Sequence, residues 1–246
     1  MKTSNNTILI TGGGSGIGFE IAKLFSQNGN KIIITGRNEE RLQKAAARLE
    51  NTTAIAADIT SEEDVHQLVE KIKQDFPELN VLINNAGNAS YYSLVAPEIN
   101  AYEKAAEEMD TNFLSVIRLT EKLLPVLKAQ ESAAVVTVSS IVAFAPRKEL
   151  SSYGASKAAL HSYSQSLRLA LEKTSGVKVF ELMPPLVNTE FSKEIGGENG
   201  IAPEVVAEDL FKAFEEDTYE IHVGNTANIY KLFLSSPQMA LEAMNQ

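Results

Sequence analysis

The chain of 246 residues contains no cysteine and only three histidines. The first absence excludes disulfides, thiolate nucleophiles and cysteine-type zinc sites, and it suits a reducing, cytoplasmic setting. The histidines, His66, His161 and His222, are scattered. No partner for a metal or a triad stands beside any of them, so none is expected to be catalytic and no metal site is expected. Positive charge is also scarce: 22 Lys and Arg against 32 Asp and Glu give a formal net charge of −10. A chain this acidic is a poor electrostatic partner for nucleic acid or anionic lipid. No apolar run approaches the ~20 residues of a transmembrane helix. No signal-peptide pattern precedes the first apolar run at Thr7. A cytoplasmic protein with neither nucleic-acid nor membrane partners is the expectation.

With 44% hydrophobic residues the composition is globular. Short β-branched runs alternate with helical patterns. Strands are expected at Thr7–Thr11, Lys31–Thr35, Thr52–Ala57, Val81–Asn84, Ala133–Ser139, Val177–Met183 and Tyr219–Val223. Six of the seven precede a helix. Asn38 is placed to cap a helix through Leu49, and Ser61 one to about Phe76. The strands are continuous apolar runs, as in a sheet covered on both faces. This predicts a Rossmann-type, doubly wound, seven-stranded parallel sheet with helices on both faces. A barrel of eight strand–helix units is one unit too many. No linker, repeat or low-complexity segment interrupts the chain, so residues 1–246 read as a single domain.

"TGGGSGIG" (Thr11 to Gly18) joins the first strand to the first helix. Its spacing, G-x3-G-x-G at Gly12, Gly16 and Gly18, differs from the common G-x-G-x-x-G, but the physics is shared. Glycines let the backbone turn sharply and approach a pyrophosphate, and the helix N-terminus supplies free N–H groups. The second strand ends in "TGR", with Arg37 where an NAD-binding sheet carries an acidic residue. A guanidinium there can fork onto a 2′-phosphate, so NADP(H) is favoured over NAD(H), although Glu39 and Glu40 lie close enough to compete for it.

Four further features fall in order: Asp58 in "AADIT", "NNAG" (Asn84 to Gly87), Asn112 in "MDTNFLSVIRLT", and "VSS" (Val138 to Ser140) thirteen residues before Tyr153 of "YGASK". With the glycine loop, they make the chain resemble the short-chain dehydrogenase/reductase family over nearly its whole length, and more closely the DltE-like branch of oxidoreductases. The resemblance implies that Gly12, Gly14, Ser15 and Ile17 line the pyrophosphate and ribose, that Asp58 and Ile59 meet the adenine, and that Asn85, Ala86 and Gly87 pass beneath the adenosine ribose. It implies a catalytic tetrad of Asn112, Ser140, Tyr153 and Lys157, a main-chain contact from Val187 and a hydroxyl contact from Thr189. It also implies homodimers or homotetramers built through the helices around Asn112–Ala129 and Ser151–Lys173.

The chemistry of these residues agrees. A free tyrosine, of pKa ~10, is a poor base at neutral pH. An ammonium nearby stabilises its phenolate, and residues i and i+4 share a helix face, so Lys157 can lie beside Tyr153. Lys157 could also reach the cofactor ribose. Ser140 ends a parallel strand, where such sheets bind ligands. Asn112 resembles the residue that holds a water linking the lysine to solvent. Tyr163, ten residues beyond Tyr153, falls ~80° off that face and reads as packing.

One departure from the family pattern is "MPPLVNTE", where Pro185 replaces the usual glycine and fixes φ. Residues of about 189–203, with Gly196, Gly197 and Gly200, read as a substrate lid. Tyr91, Tyr92, Phe144, Pro146, Arg147 and Leu150 are expected on the substrate side. The expected function is hydride transfer between a nicotinamide cofactor and a small carbonyl or alcohol substrate. A silent cofactor-binding regulator is the alternative. A nucleotide-sugar epimerase is disfavoured because too little chain follows Met183.

Overall fold

The computed structural model describes residues 1–246. Its strands are β1 (Thr7–Thr11), β2 (Lys31–Gly36), β3 (Thr52–Ala56), β4 (Val81–Asn84), β5 (Ala133–Val138), β6 (Val177–Met183) and β7 (Glu220–His222). They form one sheet in the order β3-β2-β1-β4-β5-β6-β7, every neighbouring pair parallel. The winding direction reverses between β1 and β4, which opens a crevice at the carboxyl ends of the strands. The helices are α1 (Gly16–Gln27), α2 (Glu39–Ala46), α3 (Glu62–Asp75), α4 (Ala101–Met109), α5 (Ser115–Lys128), α6 (Ser151–Glu172), α7 (Pro203–Glu216), α8 (Thr226–Ser235) and α9 (Pro237–Met244). This is the doubly wound sheet the sequence predicts.

Strand residues alternate between two cores. Ile8, Ile10, Ile32 and Ile34 pack with Phe25 of α1, Leu42 of α2 and Phe214 of α7. Leu9 and Ile33 point the other way, onto Ile72 of α3 and Leu123 of α5. All of these strand residues are fully buried, each stabilising the fold by about 1.5–3 kcal/mol relative to exposure. Hence both faces of β1 and β2 read as apolar.

The caps follow the sequence. The Asn38 side chain accepts from the Arg41 amide and Ser61 from that of Asp64. Helix α2 stops at Ala46 instead of Leu49, because its end tightens into i→i−3 bonds from Arg48 to Ala45 and from Leu49 to Ala46. The helical stretch from Ala101 to Lys128 is interrupted by a π turn at Asp110–Leu114 that carries Asn112. Residues 190–199 form two short 3₁₀ turns, Glu190–Ile195 and Gly197–Asn199. Gly200 is there for close packing: a Cβ would lie 2.7 Å from the Leu186 carbonyl oxygen. No helix is long and apolar enough to cross a membrane.

Candidate active site

A cleft of about 520 Å³ lies at the carboxyl ends of the strands, over the β1–β4 switch point. Its floor is the glycine turn. Gly12 has φ +65°, and a Cβ there would stand 3.0 Å from Ala86 Cα, so the β1 and β4 turns approach as closely as only glycine permits. The amide of Gly12 bonds the Thr35 carbonyl, while those of Gly14 and Ser15 have no partner within the chain and stand free at the start of α1. Gly12, Gly14, Ser15 and Ile17 all line the cleft. Thr11, which the sequence reading passed over, fixes the opposite wall. Its hydroxyl accepts from the amides of Asn85 and Ala86, both at 3.0 Å. The Asn85 side chain returns a bond to the Thr11 carbonyl.

Arg37, Asp58 and Ile59 line the far end, as do Asn85, Ala86 and Gly87 along the floor. Arg37 makes no ion pair: Glu40 is taken by Lys44 instead. A second guanidinium, Arg41, shares this end and reaches Glu190 across the cleft at 3.6 Å. One Asp58 oxygen accepts from the Thr60 amide and hydroxyl, which orients the carboxyl group.

Tyr153 and Lys157 line the other end. They sit one turn apart on α6, with the ammonium 5.6 Å from the phenol ring centroid. Ser140, buried two residues beyond β5, lies near the phenol without lining the cleft, and its hydroxyl accepts from the Val142 amide at 3.4 Å. Burial pushes the phenol up to about 12; the nearby Ser140 hydroxyl opposes this and the Glu108 carboxylate adds to it. Burial pulls Lys157 down to about 8, against the charge of Glu181. The ammonium donates to the Val138 carbonyl at 2.8 Å. Asn112 is wholly buried. Its side chain clamps both backbone groups of Asn88 and donates to Ser156 at 2.9 Å. Gly87 passes between Asn112 and Lys157: a Cβ on it would lie 3.3 Å from Asn112 Oδ1 and 3.8 Å from Lys157 Nζ.

Thr189 lines the cleft, whereas Val187 is packed in the core and bridges Ile201. The Val187 amide has no partner within the chain. The apolar wall near Tyr153 differs from the expected set. Phe191 supplies it, 6.2 Å from the Tyr153 ring. Phe144 instead turns into an aromatic cluster with His161, His222 and Tyr230, and the Tyr92 hydroxyl is bound to Ser152. Tyr163 packs edge-on against Phe113. His161 does have a partner, contrary to the sequence reading. Its Nδ1 meets Glu181 Oε2 at 2.9 Å, and the Ser139 hydroxyl donates to the same carboxylate. Glu108, another buried carboxylate, accepts from the Ser90 amide. Nothing in the sequence marks Glu181 or Glu108, since each lies within an otherwise ordinary strand or helix.

A family model described as short chain dehydrogenase matches residues 6–200. An oxidoreductase of Bacillus subtilis (strain 168), the uncharacterized protein DltE, is 39% identical over 208 residues, which cover 82% of this chain and 79% of that protein. A short-chain dehydrogenase/reductase from Burkholderia phymatum, solved in complex with NAD, aligns with a TM-score of 0.89 at 20% identity, covering 100% of this chain and 97% of that one. A short-chain dehydrogenase from Burkholderia cenocepacia J2315, solved with NADP, aligns with a TM-score of 0.87 at 23% identity over 100% of both chains. At these identities the two structures speak for the fold alone.

Proposed function

Because the chain belongs to the short-chain dehydrogenase/reductase family, we propose that it is an oxidoreductase moving hydride between a nicotinamide cofactor, NADP(H) by preference, and a carbonyl compound or secondary alcohol. The observation that carries this reading is the pairing of Tyr153 and Lys157, one helical turn apart, at one end of a cleft whose floor is the glycine turn, with Ser140 just behind the phenol.

The cleft fits such a cofactor. The free amides of Gly14 and Ser15, at a helix N-terminus, suit a pyrophosphate, with Gly12 and Ile17 beside them. Asp58 and Ile59 suit the adenine, and Asn85, Ala86 and Gly87 the ribose above them. Arg37 is unpaired and Arg41 is held only by an exposed carboxylate, so two cations are available to a 2′-phosphate. The free Val187 amide and the Thr189 hydroxyl suit the carboxamide end.

When bound, the nicotinamide supplies or accepts the hydride. The chain does the rest. The Ser140 hydroxyl orients the substrate oxygen beside the Tyr153 hydroxyl. Tyr153, held as a neutral phenol by burial, is an acid ready to protonate that oxygen in reduction. In oxidation it must first lose its proton, which the Lys157 ammonium favours. The Asn112 amide is wholly engaged with Asn88 and Ser156, so its part is to hold the π turn, and any water bound there, against the Gly87–Lys157 side. The 189–203 segment, with Phe191 over Tyr153, acts as the substrate lid of this single domain. The working form is a homodimer or homotetramer.

A panel of carbonyls and alcohols with both cofactors, followed at 340 nm, tests the reading. Turnover should be faster with NADPH than with NADH, and Tyr153→Phe should abolish it while leaving cofactor binding within a few-fold. Equal use of both cofactors would remove the argument from Arg37. Binding of NADPH without turnover on any compound, with Tyr153→Phe indistinguishable from the parent, would favour a silent regulator.

A further inference from the structure

The ammonium of Lys157 is buried, and its one hydrogen-bond partner is a neutral carbonyl, that of Val138. A charge so placed needs a counter-charge. Glu181 supplies one from a distance, without an ion pair. It lies on β6 beside Thr137 of β5, one residue from Val138 in that strand, and is completely buried. Its carboxylate accepts from the Ser139 hydroxyl and from His161 Nδ1. His161 is one turn beyond Lys157 on α6, so Tyr153, Lys157 and His161 form a single stripe along that helix. The imidazole keeps some surface exposure, whereas Glu181 has none.

We propose that Glu181 is a positioning residue for the active-site ammonium: its carboxylate, fixed in place by the Ser139 hydroxyl and by His161 Nδ1, holds Lys157 in its protonated form. The proposal rests on placing Lys157 in the hydride-transfer site. Neither Glu181 nor His161 touches the cleft; they act through Lys157. The charged and titratable groups facing His161 are Glu181 of β6, Glu220 and His222 of β7, and Arg168 of α6. Arg168 is paired with Glu220 at 2.9 Å, so Glu181 is the carboxylate left to the imidazole. That pairing raises the pKa of His161 above its ordinary value. His222 is stacked on Tyr230, and burial lowers its pKa, so it contributes little positive charge at neutral pH. Facing Tyr153 from α4 is Glu108, whose carboxylate disfavours the phenolate and makes a charged Lys157 the more necessary.

The test is an NMR titration of protein labelled with ¹⁵N-lysine and ¹⁵N-histidine, without substrate, with Lys157→Arg used only to assign the signal. The Lys157 midpoint should fall by about one pH unit in Glu181→Gln, and that of His161 should fall with it. An unchanged Lys157 midpoint in the folded variant overturns the proposal. Should Glu181→Gln fail to fold, His161→Gln decides. It keeps a donor for Glu181 and removes the titrating charge, so Lys157 should titrate at or above the parent value, and a lower midpoint overturns the proposal. Because no turnover is measured, this result and the outcome of the carbonyl panel can each fail alone.

Discussion

At the scale of the residue, Lys157 shows what the site costs the fold. Burial lowers its pKa from the ordinary 10.5 to about 8. Holding it charged at neutral pH therefore costs on the order of 3 kcal/mol. Its sign follows from proton counting. Between pH 8 and 10.5 the unfolded chain holds the proton that the folded chain has lost, so this contribution to stability rises with pH across that window and is at its worst below it. Lys157→Met, similar in length and without the charge, should be more stable than the parent at pH 7, with the difference shrinking at pH 10. Denaturant titrations of both proteins at the two pH values measure it. A variant less stable at pH 7, or a difference that does not change with pH, would mean that Lys157 is not strained as described. Tyr153 and Lys157 were legible in the sequence because i and i+4 fix their relation within one helix. Glu181 and His161 were not, because twenty residues separate them and they meet only where α6 packs on β6.

At the scale of the element, the features set by local chemistry were readable and those set by contact were not. The caps at Asn38 and Ser61 follow from side chains that satisfy amides three residues on. The π turn at Asp110–Leu114 leaves no such mark, since a π bulge changes only which carbonyl an amide meets. The lid glycines read as mobility, whereas Gly200 answers to the Leu186 carbonyl pressed against it. The phosphate turn has both characters: its glycines are visible, but the β4 turn they accommodate is not. Gly12→Ala tests that contact. The substitution asks for φ +65° from a residue with a Cβ and drives that Cβ to 3.0 Å from Ala86 Cα. A loss of roughly 1–3 kcal/mol in urea unfolding is expected, together with weaker NADPH binding measured by fluorescence. Unchanged stability and unchanged affinity would show that the two turns are free to separate.

At the scale of the whole molecule, the doubly wound parallel sheet and its two-sided core were recoverable from strand–helix alternation and the glycine turn, because parallel crossovers leave few topologies, whereas the strand order came only with the structure. What covers the outside is a different matter. Tyr102 on α4 is 83% exposed, Leu114 at the end of the π turn 48% and Leu169 on α6 61%. Helices α4 and α6 pack side by side, and α5 and α6 are among those expected to pair copies of the chain. A stable interface buries about 800 Å² per partner, and a second copy laid against α5 and α6 would find exposed apolar side chains there to cover. A face carrying the chain's net negative charge at high density would resist such an approach, so apolar contact has to supply the attraction. Light scattering at micromolar concentration should therefore give the mass of a dimer or tetramer. Leu169→Glu adds a like charge at an exposed position, where the cost to the isolated fold is within about 0.5 kcal/mol. It should move the mass toward the monomer without lowering the unfolding midpoint of the monomer itself. A parent that is already monomeric, or a variant with the parent's mass, would remove this face from the assembly.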